Sequence, residues 1–149
     1  MTQDPRLPII LLVDDSPDDY DATIRSFKAA HLDNPIHWCK SGKDALDYLK
    51  HEGTYTQGPA GATPALVLLD LNMPGLDGKK VLAIAKQDPA LKKIPIIILT
   101  TSGDDRDVTK CYELGASTYI QKPVDFDGLI KAVSRIKDYW FGIALLPGE

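Results

Sequence analysis

No stretch of this chain approaches the roughly 18 consecutive apolar residues of a membrane span, and the start Met1-Thr2-Gln3-Asp4-Pro5-Arg6 lacks the charged-then-apolar order of a secretory leader. The protein is therefore expected in the cytoplasm, without membrane contact. An excess of positive charge is also missing: 17 Lys and Arg stand against 21 Asp and Glu, a formal net charge of −4. That balance gives no electrostatic footprint for nucleic acid, so direct DNA binding is not expected. Cysteine is scarce. Cys39 and Cys111 lie far apart in sequence and in no metal-ligand spacing, so they read as small apolar fillers rather than a disulfide. No internal repeat, low-complexity tract or linker divides the 149 residues, which suffice for one ordinary core without staples.

What the chain does have is a set of short, strongly apolar runs at 7–13, 65–69, 94–99 and 117–120. Just beyond their ends stand Asp14 and Asp15, Asp70, Thr100 and Lys122. Runs that are apolar throughout, rather than alternating, are buried on both faces, as in a parallel sheet covered by helices. Parallel strands end at one edge, so these five side chains are expected to converge in the crevice where open α/β sheets bind ligands.

Helical signals fill the spaces between the runs. Ser16-Pro17-Asp18-Asp19 combines a capping residue, a proline at the first helical position and acids in the first turn. Tyr20, Ile24, Phe27 and Ala30 then recur at helical spacing as an inner face, and the stretch from His31 to Pro35 ends the helix. A second strand is expected at 36–39 and a second helix after the cap Ser41, with Ala45, Leu46 and Leu49 inward. Three glycines and two prolines make 52–64 a long surface loop, the most mobile segment expected. A third helix carries Val81, Leu82 and Ile84 or Ala85, and a fourth, capped by Asp104 or Asp105, stops at Gly115. The last helix has its stripe at Phe126, Leu129, Val133, Ile136 and Trp140, widened by Ile130. Five strands alternating with five helices make a doubly wound α/β sandwich, and we favour the parallel strand order 2-1-3-4-5. Phe141, Ile143, Leu145, Leu146 and Pro147 follow as an apolar tail in need of a surface.

Asp14, Asp15 and Asp70 would bring three carboxylates together, and their repulsion calls for a cation. An all-oxygen site of one or two carboxylates plus a phosphate suits Mg2+ better than a calcium cage. Lys122 opposite them would be a salt bridge at rest and a phosphate ligand when a phosphoryl group arrives. Thr100 offers a hydroxyl to a phosphate oxygen. The Lys122-Pro123 bond is a candidate cis peptide that would aim the ammonium inward. Taken singly, each residue has a plainer reading: Asp14 as a helix cap, Thr100 as a β-branched strand end, Lys122 as a solvated charge.

The set Asp14-Asp15, Asp70 with Asn72-Met73-Pro74 and Asp77-Gly78, Thr100 and Lys122-Pro123 resembles the receiver domain of two-component response regulators, over roughly residues 8–138. The resemblance implies a flavodoxin-like (βα)5 fold and Mg2+-dependent transfer of a phosphoryl group from a histidine kinase's phosphohistidine to Asp70. It implies Mg2+ ligation by Asp15, Asp70 and the backbone carbonyl of Asn72, with Asp14 acting through water. Lys122 and Thr100 would hold phosphoryl oxygens, and Tyr119 matches the family's switch aromatic, which would bias the surface of the fourth helix, fifth strand and fifth helix. Thr101 departs from the small residue usual there and is expected to slow small phosphodonors. The 52–64 loop, Thr100-Thr101-Ser102 and the ending from Tyr139 to Pro147 are similar to small single-domain regulators paired with phytochromes. That likeness implies a phytochrome-type sensor kinase and a homodimer through the last strands, helices and extension. The chain is thus expected to be a single receiver domain over 1–149, with its core at about 8–138 and an extension at 139–149, acting as a signalling protein rather than an enzyme.

Three other readings are open to the same residues. One is an intermediate carrier in a multistep phosphorelay for a non-phytochrome kinase. A phosphatase of the haloacid dehalogenase type needs a second aspartate two residues after its nucleophile, and here that position is Asn72. A flavin binder wants a hydroxyl- and glycine-rich phosphate loop after the first strand, where Asp14 and Asp15 stand instead. With no further domain in these residues, the output is expected to be a contact with a downstream protein or a phosphotransfer partner.

Overall fold

Five short strands form a single sheet: β1 (Ile10–Val13), β2 (Ile36–Cys39), β3 (Leu66–Leu69), β4 (Ile96–Thr100) and β5 (Thr118–Gln121). The computed structural model describes residues 6–55 and 63–147. The strand order is β2-β1-β3-β4-β5 and every pair is parallel, as expected for a flavodoxin-like fold. Between the strands run α1 (Pro17–Ala29), α2 (Gly42–Lys50), α3 (Gly78–Gln87), α4 (Asp105–Leu114) and α5 (Phe126–Trp140).

Successive strand residues point to opposite faces, so each central strand feeds two cores. Leu11, Val13, Val67, Leu69 and Ile98 pack under α2, α3 and α4 through Leu49, Val81, Leu82 and Cys111. Ile10, Leu12, Leu66, Leu68 and Ile97 pack under α1 and α5 through Phe27, Leu129, Val133 and Ile136. Removing each such side chain from water contributes about 1.5–3 kcal/mol, which holds the sheet and therefore the strand ends in place. Cys39 and Cys111 are both free and buried, as the sequence suggested.

Helix starts follow the capping residues. Ser16, Ser41, Asp77, Asp104 and Asp125 each accept a backbone N–H from the first turn, which decides between Asp104 and Asp105 for α4. Gly115 ends α4 at φ 109°, a left-handed conformation suited to glycine.

Several expectations needed correction. β1 starts at Ile10 rather than residue 7, because Pro8 has no amide to donate and Leu7 is exposed. β4 starts later, at Ile96, and takes in Thr100. In α1, Tyr20 and Ile24 are only half-buried while Thr23 and Ser26 are buried. The Ser26 hydroxyl donates to the Thr23 carbonyl at 2.6 Å, and that bond satisfies it inside the core. Gly53–Tyr55 form a 3-10 turn held by the Tyr55 hydroxyl, which donates to Asp44 at 2.9 Å and lies 3.0 Å from His37 Nε2. Residues 56–62, on which the expected mobility of the loop centres, lie outside the described residues. In the tail Phe141 packs on the core, whereas Ile143 is 72% and Leu145 99% exposed. Among the described residues no helix is long and apolar enough to cross a membrane.

Candidate functional site

The hydrogen-bond ladder outlives the strands by one step. Asp14 N–H donates to the Cys39 carbonyl at 3.1 Å, and Asp70 N–H donates to the Val13 carbonyl at 3.0 Å. Two acids at the ends of neighbouring strands are thereby fixed side by side. The chain after Asp70 is pressed close by α3: a Cβ on Gly78 would lie 2.3 Å from the Asp70 carbonyl oxygen and 2.7 Å from Leu71 Cα. Only glycine fits there, and its N–H donates to the Leu71 carbonyl at 3.0 Å.

Carboxylate oxygens of Asp14, Asp15 and Asp70 lie within 4.8 Å of one another. Asp14 is 2% and Asp70 8% exposed, and Asp15 is half-buried. Lys122 Nζ reaches in from the end of β5 to Asp14 Oδ2 at 2.8 Å and Asp19 Oδ2 at 3.3 Å. Its own N–H donates to the Thr100 carbonyl at 2.6 Å. The Lys122-Pro123 bond is trans, correcting the expected cis bond. The backbone tie to Thr100 and the two carboxylates aim the ammonium without the less favoured isomer.

Burial raises the Asp70 carboxyl above its ordinary value; Lys122 opposes that shift and Asp14 reinforces it. For Lys122, burial alone would lower the ammonium, but the hydrogen bond and charge of Asp14, with Asp70 and Asp19, outweigh it and raise the value. The lysine therefore stays charged at neutral pH and still leaves the three carboxylates in excess. An all-oxygen, negatively charged, largely buried donor set of this kind fits a hard divalent cation. Thr100 is wholly buried, and its Oγ1 has no hydrogen-bond partner. It stands near enough to Asp70 to favour the charged carboxylate, short of hydrogen-bond geometry. A buried hydroxyl left unpaired beside an acid needs explanation, and an incoming oxyanion would supply the missing partner.

The structure thus brings together Asp14, Asp15, Asp70, Thr100 and Lys122, while the Asn72 side chain is exposed two residues beyond. Tyr119 stands apart from the acids on β5. Its hydroxyl donates to the Ser102 carbonyl at 2.9 Å, in the loop that follows Thr100. Sequence reasoning missed what lies behind that loop. Ser102 Oγ donates to Asp107 Oδ2 at 2.6 Å, and Asp107 is paired with Lys79 of α3. Asp19 as second partner of Lys122 was missed too, since only folding brings α1 beside β5.

The chain matches the model of the response regulator receiver domain over residues 10–134. It is 38% identical to response regulator Rcp1 of Synechocystis over 93% of this chain and 92% of that protein. It is 39% identical to the probable methanogenesis regulatory protein FilR2 of Methanothrix harundinacea, over 94% of this chain and 88% of that protein. Among solved structures, the phosphorylated cyanobacterial phytochrome response regulator RcpA superposes with a TM-score of 0.87 at 34% identity, covering 95% of this chain and 99% of that one. The Mn2+-bound form of Rcp1 superposes with a TM-score of 0.85, covering 95% of this chain and all of that one.

Proposed function

The chain belongs to the response regulator receiver family, and from that premise we propose that Asp70 accepts a phosphoryl group from the phosphohistidine of a sensor histidine kinase. It is a signalling protein of two-component systems rather than a true enzyme. A carboxylate oxygen of Asp70 forms the new P–O bond as the P–N bond of phosphohistidine breaks. The departing imidazole nitrogen keeps the electron pair and takes a proton from solvent. Asp14, Asp15, Asp70 and the backbone carbonyl of Asn72 would hold Mg2+, with Asp14 acting through water. When bound, the ion would neutralise oxygen charge that the carboxylates would otherwise repel. Lys122 stays protonated and turns from Asp14 toward the phosphoryl oxygens, and the unpaired Thr100 hydroxyl donates to one of them. A pocket lined by Asp19, Thr101, Lys122, Val124 and Phe126 opens beside the lysine.

One observation carries this reading: a buried aspartate among two further carboxylates, flanked by a charged lysine and an unpaired hydroxyl. Drawing Thr100 toward the phosphoryl group pulls on the loop that Tyr119 holds through Ser102, and so on the surface of α4, β5 and α5. Likeness to Rcp1 and to the phytochrome regulator RcpA supports a phytochrome-type kinase as the donor. Equal similarity to a methanogenesis regulator supports a second reading, a carrier for a kinase of another kind. The exposed Ile143, Leu145, Tyr112 and Tyr139 support a homodimer through α4, β5, α5 and the tail. Mixing the protein with radiolabelled, autophosphorylated phytochrome-type and other histidine kinases tests the donor. Label is expected to leave the phytochrome-type kinase fastest and to appear on the wild type but not on Asp70→Asn. Transfer to the variant at the wild-type rate would end the proposal.

A further inference from the structure

The indole of Trp38, on the edge strand β2, spends its only polar atom on the acidic pocket. Its Nε1–H donates to the backbone carbonyl of Asp14 at 2.8 Å. That carbonyl belongs to the peptide unit joining Asp14 to Asp15. Both neighbouring strands have ended there, and among the described residues no backbone amide donates to it. Without the indole this carbonyl would have no donor among the described residues, and the peptide unit, with the Asp15 carboxylate that follows it, would be less firmly held. The rest of Asp14 is already held. Its N–H is on Cys39, Oδ1 accepts from Ser16 N–H at 3.0 Å, and Oδ2 faces Lys122.

The ring that makes this bond is itself immobilised. Tyr20 of α1 stacks on it with centroids 3.9 Å apart and planes 5° apart. Lys40 Nζ stands 4.8 Å from the ring centroid. A cation attracted to the ring draws electron density from the indole, which makes N–H a better donor. Tyr20 lies one turn into the helix that Ser16 caps, so the stack and the Asp14 bond fix the β1–α1 turn from two sides.

We propose that Trp38 is a positioning residue for the cation site, holding the Asp14–Asp15 peptide so that the Asp15 carboxylate stays beside Asp14 and Asp70. The inference rests on the metal-dependent reading above. It extends that reading to an aromatic residue which touches neither cation nor phosphoryl group. Groups that orient metal ligands from behind typically cost about 10–100-fold in metal affinity when removed, and a neutral hydrogen bond belongs at the low end.

The test is calorimetric titration of the full chain with Mg2+ alone, comparing wild type with Trp38→Phe, which keeps a ring against Tyr20 and loses the donor. An affinity about tenfold weaker is expected for the variant. Incorporation of benzothienylalanine at position 38, an isostere with sulfur in place of N–H, guards against a folding defect and should weaken Mg2+ equally. In a Trp140→Phe background, Trp38 emission should change on Mg2+ addition with the same dissociation constant. A merely structural tryptophan would lower the melting temperature and leave Mg2+ affinity unchanged. That result in either variant overturns the proposal. Failure of the wild type to bind Mg2+ at all would remove the metal-dependent reading as well, whereas equal binding by wild type and variants removes this inference alone.

Discussion

The three central strands and the two edge strands of this sheet do different work. β1, β3 and β4 are buried along their whole length, whereas β2 and β5 are half-exposed over most of theirs. The central strands deliver Asp14, Asp70 and Thr100, side chains buried where those strands end. The edges deliver Trp38, Tyr119 and, just past β5, Lys122, each of which reaches toward the pocket or its loops through a hydrogen bond. Rigid scaffold supports the reacting groups, and the weaker packing of the edges leaves room for residues that report on them.

The largest effect should fall at the end of a central strand. Asp70→Asn is expected to reduce phosphoryl acceptance to background in a kinase transfer assay, while Tyr119→Phe on the edge strand is expected to leave acceptance near wild type. Comparable losses in both would erase the distinction between centre and edge.

Packing should show the same gradient. Leu68→Ala, in the middle of β3 and wholly buried, is expected to cost about 2–5 kcal/mol in urea unfolding. Ile120→Ala, on half-exposed β5, should cost nearer the ~1 kcal/mol typical of point substitutions.

The raised carboxyl of Asp70 makes a pH prediction of defined sign. The folded state holds that proton more tightly than the unfolded chain does. Metal-free protein is therefore expected to lose stability as pH rises from the ordinary carboxylate range through the raised value. Asp70→Asn should remove this part of the pH slope. At neutral pH the variant should melt above the metal-free wild type. Mg2+ should stabilise the wild type and do far less for the variant. A variant that melts lower than wild type without metal would contradict the charge crowding inferred for the pocket.

Two substitutions outside the buried strand centres give smaller effects. Tyr119→Phe should cost about 0.5–1.5 kcal/mol through the lost bond to Ser102, and should uncouple phosphorylation from changes at α4 seen by amide exchange. Thr101→Ala should speed labelling by acetyl phosphate a few-fold, since the exposed Thr101 lines the pocket beside Lys122. An unchanged rate would show that its methyl and hydroxyl do not narrow the approach.

The same division explains what could be read from the chain before folding. Leu66 to Leu69 and Ile96 to Leu99 are apolar without interruption, so they announce buried parallel strands, and Asp70 and Thr100 follow from where those runs stop. Capping chemistry placed the starts of α1 and α2 from Ser16 and Ser41, whereas the cap Asp77 of α3 was read only as part of a turn. Tertiary partners were not legible. Nothing local marks Asp19 as the companion of Lys122, Asp107 as the partner of Lys79, or the Asp14 carbonyl as the acceptor for Trp38. Each of these pairs elements distant in sequence. Ser26 misled the reading of the α1 inner face because a polar residue can be buried once its hydroxyl returns to its own helix. The trans bond at Pro123 was likewise not legible, since a proline by itself admits either isomer.

The central claim is that a single carboxylate carries the phosphoryl group. It is tested most directly by exposing the full chain to acetyl phosphate with Mg2+, reducing with borohydride and mapping peptides by mass. The account predicts homoserine at position 70 and at no other aspartate, formed only when Mg2+ is present. Homoserine at Asp14 or Asp15, or none at all under conditions where Mg2+ binds, would contradict it.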